Sequence, residues 1–251
     1  MQPTKINFVV PQGWHELTED QLRFVFGQIA ADATTDELKT ICLLRWSGAE
    51  VVGRQPKGAY LLQHADTLFE VSPLAIAEAA MNLDWLGSLP PMPKRLEKIN
   101  SHAALAADFL GVPFEKYIVC DNLYQGFLST QKDALLDDLA HVLYPGCSAT
   151  LTPEERISIF YWVASLKDMF ARRFPDFFQP ATAIAENLLG SSPNIGKQLQ
   201  ESMDAQIRAL TKGDITKEKE ILSLDTWRAL TELNAQAKEY KQINAQINAK
   251  K

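Results

Sequence analysis

EVVGRQPKGAYLLQHADTLFEVS, residues 50–72, decides the fold class, because no other stretch of the chain reads convincingly as β-structure. Val51-Val52, Tyr60-Leu61-Leu62 and Thr67 to Val71 are β-prone runs, separated by Gly/Pro/Lys and by His/Ala/Asp turn residues. The spacing predicts a small antiparallel hairpin or three-strand meander. A hairpin alone is marginal in water, so it is expected to pack on neighbouring helices. A short strand over 4–10 (TKINFVV), ended by Pro11-Gln12-Gly13, is expected to add Ile6 to Val10 to its edge.

Outward from that segment the punctuation is helical. Upstream, Thr18 with Gln21 offers a capping box for a helix with Leu22, Val25, Phe26 and Ile29 on its apolar face. Thr34 with Glu37 does the same for a second helix, faced by Leu38, Ile41, Cys42 and Leu44 and stopped at Gly48. Downstream, Ser72-Pro73, Thr152-Pro153 and Ser192-Pro193 each set an N-cap hydroxyl before a proline at the first helical position. The predicted helices span 73–86, 101–110, 114–129, 133–144, 153–173, 181–189, 193–211 and 224–249. The fold class is therefore mainly α: a helical body with a small antiparallel β hairpin or meander in the N-terminal third and a long C-terminal amphipathic helix.

Pro90-Pro91-Met92-Pro93 is the stiffest linker in the chain. It divides a mixed α/β subdomain over 1–90 from an all-helical core over 94–190. Beyond Gly190 the apolar fraction falls, and Gln, Asn, Lys and Glu dominate a polar helical extension over 191–251.

The 251 residues, 46% of them hydrophobic, are enough for one sizeable core or two small ones without disulfides or a structural metal. Cys42, Cys120 and Cys147 are odd in number and widely spaced, with no metal-ligand pattern, so a reducing cytoplasm is the expected location. The N-terminus lacks the basic start and apolar run of a signal peptide. ISIFYWVASL at 157–166 is too short to span a membrane and reads as a core helix. The net charge of −6 is uneven: residues 191–251 hold 10 Lys/Arg and 8 Asp/Glu, which leaves an acidic body. That body disfavours phosphate-backbone binding, although Lys94, Arg95, Lys98 and the Arg172-Arg173 pair would be its basic contacts.

No GxSxG, HExxH or GxGxxG pattern occurs. GSSPNIGKQ at 190–198 resembles a phosphate loop only in outline: five residues separate its glycines, Gln198 stands where magnesium needs Ser or Thr, and a helical segment precedes it. Asp133, Asp137 and His141 are spaced four apart on one helical face, the arrangement a metal would need; a solvated stripe opposite Leu135, Leu136, Leu139, Val142 and Leu143 explains them more simply. Cys120 has only Lys116 near it in sequence and reads as a buried structural thiol in a stripe with Tyr117, Tyr124, Phe127 and Leu128. FARRFPDFFQP at 170–180 joins arginines to phenylalanines; a helix end turning a corner into the core accounts for it better than a nucleic-acid or protein groove.

The strongest candidate is SLDTWRALTELNAQAKEYKQINAQINAKK at 223–251. Leu233, Tyr240 and Ile247 fall seven apart, as do Leu230, Ala237 and Asn244, a 3.5-residue repeat that favours helix-on-helix contact. Glu232 lies early and Lys238, Lys241, Lys250 and Lys251 late, which suits the helix dipole. Trp227, Leu230, Leu233, Ala237, Tyr240, Ile243 and Ile247 mark the candidate partner-binding side. Its cover is the protein's own body, a second copy or another protein.

Three blocks, LTEDQLRFVFGQIAADATTDELKTICLLRWSG at 17–48, FLGVPFEKYIVCDNLYQGFL at 109–128 and LDTWRALTELNAQAKEYKQIN at 224–244, resemble uncharacterised proteins of prophages and other mobile elements of gut bacteria. The resemblance implies an assembly or accessory protein of phage-tail morphogenesis and carries over no functional residue. The expectation is a non-catalytic interaction or assembly protein, with no cofactor and no membrane contact, that docks or self-associates through its C-terminal helix. The alternative is an enzyme with a composite carboxylate and histidine metal site.

Overall fold

The computed structural model describes residues 9–56, 58–148, 150–178 and 195–248. The chain divides into two compact units, Met1–Pro90 and Pro91–Lys251. The expected strand over 4–10 lies mostly outside the described residues, and Val9 and Val10 are not in a strand. The expected helix over 181–189 and the Ser192-Pro193 cap lie outside them too.

In the first unit, helix α1 (Glu19–Ala30) opens on a complete capping box, in which the Gln21 amide donates to Thr18 Oγ1 and the Thr18 amide to Gln21 Oε1. Helix α2 (Thr35–Ser47) repeats the device with Thr34 and Glu37 and stops at Gly48, whose φ of 67° is the left-handed turn that glycine takes freely. Leu22, Val25 and Phe26 of α1 and Leu38, Cys42 and Leu43 of α2 are buried. Trp14 is buried with Phe26 at 6.2 Å and Trp85 at 5.5 Å between ring centroids, and its indole N–H donates to the carbonyls of Trp85 and Ser88.

The meander forms as strands β1 (Ala49–Arg54), β2 (Tyr60–His64) and β3 (Thr67–Val71), antiparallel in the order β1-β2-β3. A bulge at Val52 shifts the β1–β2 register between Val51 and Gly53. Helix α3 (Pro73–Ala80) follows, its amide at Ala75 capped by Ser72 Oγ. The predicted helix over 73–86 is α-helical only to Ala80 and tightens into a 3₁₀ turn over Met81–Gly87.

The second unit overturns one expectation. Residues 101–110 are not a helix. Lys98–Ile99 (β4) and His102–Ala103 (β5) form a short hairpin through Asn100 and Ser101, both at positive φ. Downstream, the carbonyls a helix would use internally are taken by distant side chains: Leu105 by Arg95 Nε at 2.8 Å, Ala107 by Trp162 Nε1 at 2.8 Å and Asp108 by Trp227 Nε1 at 2.7 Å. Tertiary hydrogen bonds replace the local ladder, and the apolar run buries Phe109 in an irregular loop.

Helices α4 (Phe114–Thr130), α5 (Ala134–Leu143) and α6 (Pro153–Arg173) surround the core. Trp162 of α6 is fully buried, edge-on to Phe109 at 6.3 Å and Tyr144 at 5.8 Å, and Tyr144 donates its hydroxyl to the Leu96 carbonyl. Helix α7 (Ile195–Thr211) is followed by a short helix, α8 (Glu218–Leu222), where no helix was expected, and by α9 (Thr226–Asn248).

All three cysteines are free and buried. Burial pushes the Cys42 thiol up to about 12 and raises Cys120 further in the same direction, away from the reactive thiolate. The folded protein therefore keeps protons that the unfolded chain, with an ordinary thiol value of 9.0, gives up as pH rises. Stability from these groups is fully present below about pH 9 and falls above it. Ellman's reagent at pH 8 is expected to titrate no thiol in the native protein and all three in urea.

Candidate docking face of the C-terminal helix

Helix α9 begins in a clasp with the loop before α4. Asp225 is its N-cap: one carboxylate oxygen accepts from the Arg228 amide at 3.1 Å and the other from the Gly111 amide at 2.7 Å. The Leu224 carbonyl accepts the Phe114 amide at 2.7 Å, one of the first amides of α4, which has no side-chain cap of its own. Thr226 is fully buried and gives both its amide and its hydroxyl to the Val112 carbonyl.

The next turns face the body. Trp227 packs edge-on against Phe170 at 5.6 Å and Phe174 at 5.7 Å, and Ala229, Leu230 and Leu233 are buried. Asn234 Oδ1 accepts from the Asp176 and Phe177 amides, and Lys241 pairs with Asp176 at 2.7 Å. These contacts correct the partner-binding expectation for Leu230 and Leu233, which belong to the protein's own core, and for Trp227, which is half-buried against Phe170 and Phe174. Ala237 is half-buried on the same side.

The other three candidates are open. Tyr240 is 68% exposed, Ile243 55% and Ile247 49%. Ala229, Leu233, Gln236, Tyr240, Ile243 and Ile247 follow one another by alternate steps of four and three, so they form a single stripe. Gln236, the polar member, stands between the covered half and the open half. At ~100° per residue, Lys238 falls on the opposite side of the helix, and the residues flanking the open half are Gln236, Glu239, Asn244 and Gln246.

The catalytic candidates fare differently. Both carboxylate oxygens of Asp137 accept from Arg156, at 2.8 and 2.9 Å, and Asp133 lies 3.9 Å from the same guanidinium. His141 instead lies 4.0 Å from Asp138. The arginine draws the two aspartates away from a shared ligand role with the histidine, and among the described residues no group of three or more His, Cys, Asp or Glu side chains is placed to hold a metal. Of the Cys120 stripe, Tyr117, Cys120 and Tyr124 are buried and Leu128 is exposed. Phe170 and Phe174 are core, while Arg172 donates to the Pro91 carbonyl and pairs with Asp168. Arg95 is likewise engaged, with Glu97 and over the Trp162 ring. The phosphate-loop lookalike lies outside the described residues up to Asn194 and is helical from Ile195. Among the described residues no helix is long and apolar enough to cross a membrane.

From the sequence, Asp225 or Ser223 can start the helix, but the clasp of Asp225 with the loop before α4 is not foreseen. Its signal was present in Asp108 and Gly111: Gly111 takes a φ of 74°, and Asp108 accepts the Leu110 amide. No family model matches the chain, and no similarity to a curated protein or a solved structure is found.

Proposed function

We propose that this is a non-catalytic assembly protein that docks through the open half of α9, with a second copy of the same face as the occupant. The observation that carries the reading is the row Tyr240, Ile243 and Ile247, at positions i, i+3 and i+7 of a helix whose preceding turns are fixed to the body. Among the described residues its flanks carry one charge, Glu239, so two copies face each other with little like-charge repulsion, and Asn244 at the margin favours one register.

Burying the remaining exposed area of three such side chains on each copy contributes roughly 5–10 kcal/mol, of the same size as the association cost. The pairing is weak between free molecules and strengthens where copies are held close in a larger assembly. That behaviour fits an accessory protein of phage-tail morphogenesis working in a reducing cytoplasm, the setting that the sequence resemblance and the free cysteines favour.

A trapping experiment tests the reading. Because the native thiols are buried, Ile243→Cys supplies the one reactive thiol, and a two-fold pairing of the stripes sets it beside its counterpart. Mild oxidation is expected to give a species of twice the 28.1 kDa chain mass. A cysteine at Glu218, off this helix, should give none; equal cross-linking at both positions would count against the docking face.

A further inference from the structure

We infer that the outer edge of β3, with the apolar cavity beside it, receives an extended peptide segment of another protein, carrying alternate apolar residues and one lysine or arginine. This surface lies in the first unit and is independent of α9.

Ala65 and Asp66 form a two-residue connection, with Ala65 at a φ of 49°, between the paired residues His64 and Thr67. In such a hairpin the closing pair is hydrogen-bonded, so Thr67, Phe69 and Val71 direct their amides and carbonyls to β2. Leu68 and Glu70 therefore turn theirs outward. Strand β3 is last in the sheet order, and Leu68 is 59% exposed. Two donors and two acceptors stand in a row where a further strand would pair.

About 280 Å³ of space lies between the sheet and the helices, lined by Leu43 of α2, Leu62 of β2, Val71 of β3 and Ala75, Ile76 and Ala79 of α3. Helix α2 packs against β1, and the space remains toward β3. It lies at the lower end of the ~300–1,000 Å³ of small-molecule sites and has room for an apolar side chain delivered by a paired strand.

Charge selects among peptides. Glu70 lines the same cavity. Residues 1–90 hold 6 Lys/Arg against 11 Asp/Glu, and Arg45 and Arg54 lie over the rings of Phe24 and Tyr60. An acidic edge of this kind favours a cationic strand.

The test uses the full chain and a fluorescein-labelled hexapeptide of alternating valine and threonine with one central lysine. Hydrogen exchange at the Leu68 and Glu70 amides is expected to be fast in the free protein and to slow by about tenfold or more with saturating peptide. Leu68→Pro removes an outward N–H that the sheet does not use, so it should fold and bind about tenfold more weakly. Glu70→Lys should invert the preference toward a peptide with glutamate in place of lysine. That inversion carries the test if the proline variant does not fold. Slow exchange at both amides in the free chain would mean that the protein covers its own edge and would overturn the inference. So would absence of peptide binding, or an unchanged preference in Glu70→Lys.

Discussion

A chain ending at Leu222 is expected to lose the cooperative fold of its second unit, while a chain ending at Lys241 keeps it. The first cut removes Ala229, Leu230 and Leu233 from the core, takes the Trp227 ring off Phe170 and Phe174, and strips Phe114 and Gly111 of the Leu224 and Asp225 oxygens that accept their amides. Losing the half-buried tryptophan costs about 3 kcal/mol and each buried leucine about 2–5, which together rival the ~5–15 kcal/mol that holds a domain together. The second cut removes only residues beyond the last ion pair with Asp176, and its expected effect is below about 1 kcal/mol. Thermal unfolding followed by circular dichroism separates the two, and a cooperative transition retained in the Leu222 chain would show that α9 is an appendage and not part of the core.

Trp227→Ala is expected to destabilise the protein by about 3 kcal/mol in urea with little change in slope. Its ring holds Phe170 and Phe174 at 5.6 and 5.7 Å, and its N–H satisfies the Asp108 carbonyl at 2.7 Å. Trp227→Phe separates the two contributions. It keeps most of the ring contact and leaves the carbonyl without its donor, for about 1–3 kcal/mol. If Trp227→Ala falls within about 1 kcal/mol of wild type, α9 does not anchor the second unit in the way its contacts imply.

How far the sequence was legible follows from where its signals are local. The capping boxes at Thr18, Thr34 and Thr152 are complete within four residues, and all three helices start where those residues place them. The three-strand meander was legible for the same reason, its turns being written in Gly53 to Gly58 and in Ala65-Asp66. The segment 101–110 was not. Its apolar spacing satisfies a helix, but Arg95, Trp162 and Trp227 claim its carbonyls from 10, 55 and 119 residues away, and no local pattern encodes that.

The docking helix shows both cases. Its amphipathic stripe was visible as a 3.5-residue repeat, whereas the point at which the body stops covering it depends on Asp176 and the aromatic corner after α6. Gln236, a polar residue within an apolar line, was the one sequence mark of that point.

Light scattering across a concentration series, on the full-length chain and on the chain ending at Lys241, tests the central claim most directly. The full-length protein is expected to rise reversibly from 28.1 kDa toward twice that mass as concentration increases, and the shortened chain to stay at the mass of one chain throughout. A full-length protein that remains monomeric over the whole series, or a shortened chain that associates equally well, would contradict it.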